Sequence, residues 1–294
     1  MIRNFILAIF KMLPQKLHIW LRFRYHVGYF PSFKNPRSYN EKLQLRKLYD
    51  KNPLFPICSD KLAVRDYVTE KVGSQYLVPL LYEGEDINKE VLESLHEDYV
   101  VKPTHDSGSA CIVQQKDHPD LNAVVSKIRQ ALNNDFGTDT LENWYSDIKP
   151  RVLIEKMLKN ADGKSPDDFK FHVFNSDGEC KVIFSVDYDR HKNHSRTFYN
   201  EDLEVLPFSA GECANYFLPI EHLDNYEEML DVVKKLAADF DYVRVDLYNL
   251  DGKIYFGELT FAPQSGFLNF SDFESDYQLG SYWKMAPKQP HFSY

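Results

Sequence analysis

Charged side chains interrupt two apolar segments near the carboxyl end of the chain. They are Arg244-Val-Asp246 and Gly257-Glu258-Leu-Thr260, on predicted strands otherwise rich in Val, Leu, Tyr and Phe. Burying a lone carboxylate is costly, so these acids should have partners. Because side chains alternate along a strand, Arg244 shares a face with Asp246, and Glu258 shares a face with Thr260. Two clustered acids beside an arginine could bind a hard cation next to a phosphate.

The turn between these strands decides whether the two faces coincide. A three-residue loop at 250–252, with Gly252 left-handed, would pair Arg244 with Glu258 and put all the polar residues on one face. A two-residue loop at 251–252 would pair Val245 with Glu258 and separate them. The metal-site hypothesis therefore requires the three-residue loop. The alternative is a cross-strand Arg244–Glu258 salt bridge, with Asp246 in solvent.

A second segment has the composition of a phosphate-binding loop. Lys102 ends the predicted strand Tyr99–Lys102, and the loop Thr104–Ala110 contains the small residues Ser107, Gly108 and Ser109. A lysine supplies a point charge, and small residues let backbone N–H groups approach phosphate oxygens. The sequence is not a Walker A motif, and a plain hairpin turn is the alternative.

Two further motifs could contact a nucleotide. Ser59 and Asp60-Lys61 are predicted to open a helix, whose amino terminus favours anions; an ordinary surface lysine is the alternative. Val152-Leu-Ile-Glu155-Lys156-Met-Leu158 could bracket a flat base, or could be an ordinary strand with a solvated end.

A basic stretch and a pair of acids support other hypotheses. Arg190, His194 and Arg196 could bind an acidic substrate or belong to a solvated loop, and His191 has metal-like spacing from His194. The pair Asp187-Tyr-Asp189 could bind a metal ion that holds a nucleotide sugar. It therefore supports the alternative function, a glycosyltransferase.

The elements expected around these residues are helices and antiparallel hairpins. A capping box at Ser38-Tyr-Asn-Glu41 predicts a helix through Tyr49, and apolar periodicity predicts helices at 121–132 and 229–240. Strands are predicted at 111–114, 152–155, 169–174, 180–186, 242–248 and 254–261. This order indicates an α+β fold.

Charge is distributed unevenly along the 294 residues. The net charge is −9, yet residues 1–40 contain seven basic residues and no acidic one. The acidic remainder argues against a nucleic-acid partner. The basic, aromatic segment 1–35 suits peripheral contact with an anionic membrane, or packs on the body as a helical arm. Four well-separated cysteines and no membrane-length apolar run indicate a cytoplasmic protein that is at most peripheral on the inner face of a membrane.

In their order along the chain, these motifs resemble the ATP-grasp superfamily, especially D-alanine–D-alanine ligase and its relatives. From about Pro36 to Trp283 the chain is most similar to the TupA-like branch, which is named for teichuronopeptide synthesis and associated with bacterial surface polysaccharides. The segments 35–42 and 257–263, with Leu279-Gly280, carry this closer similarity. The resemblance implies two α+β subdomains that clasp ATP. A short, mainly helical extension (1–58) would precede an ATP-grasp domain (59–294) with a lid at roughly 97–158.

The resemblance also implies roles for individual residues. Arg244 would stabilise charge on the transferring phosphoryl group. Asp246 and Glu258 would bind Mg²⁺, with Thr260 where better-known ligases have a third metal ligand, Asn. ATP would contact the following residues: Lys61, Lys102, Ser107, Gly108, Ser109, Glu155, Lys156, Leu158 and Asp168.

The implied reaction is the ligation of a carboxylate to an amine through an acyl-phosphate, with ATP and two Mg²⁺ ions. The implied partners are an amino acid and a uronic acid or related carboxylated group of a capsule or cell-wall polysaccharide, which could be lipid-linked.

Overall fold

The computed structural model describes residues 13–160, 163, 165–188, 195–208, 210–211, 214–215, 218–250 and 252–285. The helices in this part of the chain are α1 (Gln15–Val27), α2 (Tyr39–Tyr49), α3 (Leu54–Ser59), α4 (Val64–Lys71), α5 (Lys89–Glu93), α6 (Leu121–Leu132), α7 (Phe136–Thr140), α8 (Tyr226–Ala237) and α9 (Phe273–Ser281). Short 3-10 helices lie at Ser74–Tyr76, Gln115–Asp117, Asn143–Tyr145 and Pro263–Gly266.

The strands form two sheets. The smaller contains β1 (Leu80–Gly84), β2 (Tyr99–Pro103), β3 (Cys111–Val113) and β4 (Val152–Lys156), in the antiparallel order β1-β4-β2-β3. The larger contains β5 (Asp168–Ser176), β6 (Glu179–Tyr188), β7 (Ser195–Asn200), β8 (Val205–Leu206), β9 (Ala214–Asn215), β10 (Tyr242–Leu250) and β11 (Lys253–Thr260). Its order is β11-β10-β5-β6-β7-β8, with β9 parallel to β7. The strands and helices predicted from periodicity are confirmed to within a few residues.

The larger sheet has one apolar face and one polar face. Helix α8 packs on the apolar face, where Phe171, Val173 and Val245 meet Met229 and Val233 in the main core. The residues that alternate with Phe171, Val173 and Val245 along β5 and β10 point to the opposite face and are largely charged. Strand alternation therefore builds the core and a polar surface from the same strands.

The β10–β11 hairpin shows that the predicted turn was wrong. Leu250 pairs with Lys253, so two residues separate them, and Gly252 has φ of +83°. If the strand pairing that starts at this turn had continued regularly, Val245 would have paired with Glu258. Instead the register shifts beside Asp246, because Gly257 is an extra residue on β11. This β-bulge returns Asp246 and Glu258 to the same face.

Helix α2 begins at the predicted capping box and is held by the last helix of the domain. The Ser38 hydroxyl accepts a hydrogen bond from the N–H of Glu41, and the Glu41 carboxylate accepts one from the N–H of Ser38. Asp276 on α9 accepts hydrogen bonds from both the backbone and the side-chain N–H of Asn40. Gly280 lies so close to this segment that a Cβ atom there would be 2.3 Å from the Arg37 carbonyl oxygen. The start of α2 and α9 are thus packed as one unit.

Arg46, later in α2, lies fully buried at the centre of this contact. Its guanidinium donates hydrogen bonds to the Tyr242 carbonyl (2.8 Å) and the Asp241 carboxylate, and lies 4.5 Å from the Trp283 ring centroid. Trp283 is itself buried and donates from its indole N–H to Asp241 (2.8 Å). A charge that is expensive to bury is thereby paired and hydrogen-bonded.

The predicted helix start at Ser59 was wrong. Ser59 is the last residue of α3, and α4 begins only at Val64. Asp60 explains the difference, because its carboxylate accepts hydrogen bonds from the N–H groups of Leu62 and Ala63 and stabilises a turn between the helices. Lys61 therefore lies in that turn.

Helix α1 packs on the body through Ile19, Phe23 and Val27, which are buried. This confirms a helix in the predicted basic extension, whereas residues 1–12 of that segment lie outside the described residues. Over the described residues, no helix combines the length and apolar character that a membrane crossing needs.

Candidate active site

A cavity of about 710 Å³ is lined by residues from both sheets and from helix α1. It brings together most of the residues selected from the sequence, namely Lys61, Lys102, Ser107, Gly108, Glu155, Asp168, Arg196, Arg244, Asp246, Glu258 and Thr260. Seven basic and six acidic side chains line it, although the chain as a whole is acidic. The lining thus has one more positive than negative side chain, and this local excess favours an anionic ligand.

The cluster at the β-bulge is a connected ionic network. Arg244 donates to both carboxylate oxygens of Asp246 (2.6 and 2.8 Å) and to Glu258 (2.6 Å). The Thr260 hydroxyl donates to Glu258 (2.7 Å) and accepts from Arg244 (3.0 Å). Asp246 is only 3% exposed, so the alternative in which it lies in solvent is wrong. The four residues share one face, as the metal hypothesis required.

The charges of this network stabilise one another. Burial acts to raise the pKa of Asp246, but Arg244 and Lys170 outweigh it and lower that pKa to about 2. Burial acts to lower the pKa of Arg244, but Asp246 and Glu258 raise it well above its usual value. The Asp246 carboxylate and the arginine are therefore both ionised at neutral pH.

Lys170 is a central residue of the site that the sequence reasoning missed. Its ammonium group contacts Asp168 (2.5 Å) and Asp246 (2.8 Å), and the Lys170 side chain is 7% exposed. On the same face of β5, His172 contacts the Tyr242 hydroxyl (2.9 Å), and burial lowers the pKa of His172 to about 3. The alternation Asp-Phe-Lys-Phe-His in β5 is the sequence signal that could have revealed both.

The predicted phosphate lysine and adenine-binding glutamate contact each other. Lys102 and Arg65 approach the two carboxylate oxygens of Glu155 at 2.7 and 2.9 Å. The backbone N–H groups of Lys156 and Met157 donate to the carbonyl oxygens of Pro79 and Asp98, at 3.0 and 2.9 Å. Glu155 thus links the smaller sheet to α4 through Arg65.

Lys61 packs against the small-residue loop. Its backbone N–H donates to the Thr104 carbonyl (3.1 Å), and its ammonium group hydrogen-bonds to the Asp106 carbonyl. Burial lowers the pKa of Lys61. Within the same loop Gly108 has φ of +93°, and a Cβ atom there would meet nothing within 4 Å, so the loop is open at this point.

The remaining predicted residues are distributed differently. Ser109, Lys156 and Leu158 do not line the cavity; the Lys156 side chain points outward and pairs with Glu97 (2.9 Å). Arg190 and His194 lie outside the described residues. So does Asp189, one half of the acid pair behind the glycosyltransferase alternative.

The other half of that pair, Asp187, is bound by Arg196, which donates to its two carboxylate oxygens at 2.5 and 3.0 Å. The described part of the chain therefore gives the glycosyltransferase alternative no support.

Asp246 and Glu258 fit a Mg²⁺ ion by their chemistry. The two residues are paired directly opposite each other across β10 and β11, and Arg244 contacts both carboxylates. Among the described residues no group of three or more His, Cys, Asp or Glu side chains forms a metal cage. Mg²⁺ in nucleotide sites commonly uses one or two carboxylates together with phosphates and water, so two acids are sufficient.

The sequence profile of the TupA-like ATP-grasp family matches residues 41–284. The chain belongs to the TupA-like ATP-grasp family. It is therefore an enzyme of the ATP-grasp ligase class, and both the predicted fold and the predicted relationship are confirmed. ATP-grasp ligases use ATP and Mg²⁺. No sequence relative was found among curated proteins.

Several solved structures are similar to this TupA-like chain. D-Alanine–D-alanine ligase from Helicobacter pylori is 13% identical, with a TM-score of 0.47 over 84% of this chain and 69% of that one. The ATP complex of the Bacillus anthracis D-alanine–D-alanine ligase is 20% identical, with a TM-score of 0.38 over 70% and 55%. L-Amino acid ligase from Bacillus licheniformis is 16% identical, with a TM-score of 0.41 over 71% and 44%. The chain thus spans about half the length of the two Bacillus enzymes.

Proposed function

We propose that this protein is a carboxylate–amine ligase that phosphorylates a carboxylate with ATP and then transfers the acyl group to an amine. The observation that carries the proposal is the convergence of Arg244, Asp246 and Glu258 in the same cavity as Lys102 and the loop at 104–110. A carboxylate is a poor acyl donor at neutral pH, and a phosphate leaving group removes this barrier. Membership of the ATP-grasp ligase class supports the same reaction.

In this proposal the nucleotide lies between the two sheets. Lys61 and Lys102 hold its phosphates, and the small residues at 107–109 close over them. Glu155 and the backbone at 156–158 contact adenine, and Asp168 contacts the ribose. Lys102 contacts the Glu155 carboxylate in the structure, and it can replace this contact with one to a phosphate oxygen. Residues 97–158 act as the lid, which limits hydrolysis of the acyl-phosphate before the amine attacks.

Asp246 and Glu258 hold Mg²⁺, for which we propose two ions, and Thr260 is the third candidate ligand. When bound, Mg²⁺ neutralises the phosphate charge and polarises the transferring phosphoryl group. Arg244 contacts the same carboxylates and would stabilise charge on the transferring phosphoryl group. Lys170 keeps Asp246 ionised. The Thr260 hydroxyl already donates to Glu258 and can accept a metal only through its remaining lone pairs.

For the substrates, we propose an amino acid and a uronic acid or related carboxylate of a bacterial surface polysaccharide. The similarity to the TupA-like branch supports this choice. Arg196 lines the cavity beside Asp187, and with Arg190 and His194 it is the candidate set for an acidic group of the saccharide.

We also propose a cytoplasmic enzyme whose residues 1–35 contact an anionic membrane that carries a lipid-linked saccharide. Tyr25 and Phe30 are 67% and 53% exposed, and Arg24 lies over the Phe30 ring. Deleting the segment would also remove the core contacts of α1, so substitutions test the proposal better. Lys16→Ser with Arg24→Ser should reduce sedimentation with anionic vesicles but not with neutral ones. Unchanged sedimentation would leave only the packing role.

The test of the reaction is ADP and phosphate release from MgATP that depends on both an amino acid and a uronic acid. Asp246→Asn and Glu258→Gln should each lower this turnover at least about a hundredfold, because both metal-binding acids are required. UDP release from a UDP-sugar, without ADP formation, would instead support the transferase.

A further inference from the structure

One part of the cavity contains charged residues that the proposed reaction has not used. It is lined by Arg22 and His26 of helix α1, by Glu142 and Tyr145 after helix α7, and by Ser265 and Phe267 after β11. We name it the α1 lobe. Its residues come from three regions of the chain that lie more than a hundred residues apart.

Arg22 forms no close ion pair with a carboxylate among the described residues; burial lowers its pKa, and the charges of Asp139 and Glu142 act in the opposite direction. Its one described hydrogen bond goes from Nη1 to the Asp139 carbonyl, at a long 3.3 Å. Its Nε is buried and has no hydrogen-bond partner among the described residues. The guanidinium lies 4.8 Å from the Phe267 ring centroid, which holds it against the lobe. A guanidinium with unused donors in a cavity is a ready site for a carboxylate.

Glu142 is the acid of the same lobe. It is 4% exposed, and its carboxylate accepts a hydrogen bond from the Ser265 hydroxyl (2.7 Å). Lys47 lies behind it, and its ammonium group donates to the Ser265 carbonyl (2.8 Å). Burial raises the pKa of Glu142 to about 7, although Lys47 acts in the opposite direction. A second cation in the lobe would therefore favour the ionised carboxylate.

The lobe adjoins the metal-binding acids. Glu142 and Tyr145 line the same cavity as Arg244 and Glu258. Ser265, whose hydroxyl donates to Glu142, lies in the segment that follows β11 and Thr260. A ligand in the α1 lobe therefore lies beside the place where the acyl-phosphate would form.

We propose that the α1 lobe binds the amine-bearing substrate as a zwitterionic amino acid, with its carboxylate on Arg22 and its ammonium group on Glu142. This inference rests on the proposed ligase function and assigns one substrate to one part of the cavity. A uronate would satisfy Arg22 but would bring no cation to Glu142. The amino acid matches both charges. Arg22 is thus a specificity-determining residue supplied by helix α1.

Ligand-induced thermal stabilisation tests the proposal without relying on turnover. The full-length protein, saturated with MgADP, is heated with each standard amino acid, its methyl ester, or its N-acetyl derivative at millimolar concentration. We expect at least one amino acid to raise Tm, and its ester and N-acetyl derivative to have little effect. The ester lacks the charge for Arg22, and the N-acetyl derivative lacks the charge for Glu142.

Two substitutions locate the effect. Arg22→Gln should weaken binding of that amino acid about ten- to a hundredfold and abolish discrimination against the ester, whereas Arg22→Lys should restore part of both. Arg24→Gln is the matched control, because Arg24 is on the same helix but is exposed and does not line the cavity. Arg24→Gln should bind the amino acid as tightly as the wild type does. MgADP affinity should stay unchanged in all three variants.

The outcomes separate this inference from the proposed function. If no amino acid stabilises the wild type, or if glucuronate stabilises it through Arg22 and no amino acid does, the assignment of the lobe is overturned. The same holds if Arg22→Gln binds the amino acid as tightly as the wild type. ADP release that depends on an amino acid and a carboxylate is measured separately. Its absence would overturn the ligase function even where amino acid binding is found.

Discussion

Substituting Gly257 tests whether the β-bulge is what builds the metal-binding face. A Cβ atom at this position would be 3.0 Å from the Asp246 carbonyl oxygen and 3.3 Å from Cε2 of Tyr248. The carbonyl cannot retreat easily, because Asp246 is in the middle of a ladder with Lys170 on one side and Glu258 on the other. Overpacking of this kind costs about 1–3 kcal/mol.

Gly257→Val brings a Cβ atom and two methyl groups against that carbonyl, so β11 must shift relative to β10. A misplacement of about 1 Å at a reacting centre lowers turnover on the order of a hundredfold. We therefore expect Gly257→Val to fold with a reduced Tm and to lose almost all ATP-dependent turnover, although Gly257 has no side chain to contact a substrate.

The control is Gly178→Ala in the β5–β6 turn. Gly178 has φ of +81° and open space around its Cβ position. The strain of a left-handed alanine costs about 1–3 kcal/mol without disturbing the cavity. The two variants should therefore lose similar stability by thermal denaturation but differ in turnover by at least tenfold. Wild-type turnover in Gly257→Val, or equal losses in both variants, would refute this reasoning.

Two further predictions concern binding and pH. Lys102→Ala removes a charged contact worth about 1.5–3 kcal/mol and should weaken ATP binding at least about tenfold by calorimetry. The control is Lys156→Ala, because the Lys156 side chain pairs with Glu97 outside the cavity; this variant should bind ATP as tightly as the wild type. If Lys102→Ala also binds ATP as tightly as the wild type, Lys102 is not part of the phosphate site. Because the pKa of Asp246 falls from 3.8 to about 2 on folding, its ionisation stabilises the protein above pH 4. That contribution, about 2 kcal/mol, should be lost as pH falls from 4 to 2, and Asp246→Asn should flatten this part of the stability curve.

Local sequence patterns predicted most of the secondary structure. Helix α6 has the predicted bounds, because Asp120 caps its first turn and its apolar residues recur at helical spacing. The start of α4 was misplaced, because Asp60 stabilises a turn at Leu62 and Ala63 and the helix begins only at Val64. Local preference identifies an element more reliably than it identifies its first residue.

The candidate site was partly predictable, because local sequence patterns also indicate which side chains share a face of a strand. Strand alternation places Arg244 with Asp246 and Glu258 with Thr260, but it does not predict that the two faces coincide. A bulge inserts one residue without changing the alternating pattern on either side, and Gly257 alone does not distinguish a bulge from a longer turn. Lys170 could have been found by applying the alternation rule to β5. Arg22 and Glu142 could not, because only tertiary packing brings residues 120 positions apart together.

The burial of Arg46 against Trp283 bears on how this enzyme is synthesised. Arg46 is translated before its partners Asp241 and Trp283, which follow it by 195 and 237 residues. Until residue 241 has emerged, α2 lacks this ion pair, and until residue 283 has emerged, Arg46 lacks the Trp283 ring beside it. The contact of α2 with Asp241 and Trp283 therefore closes only after residue 283 has been translated. A nascent chain that stalls before residue 283 would leave this part of the core uncovered.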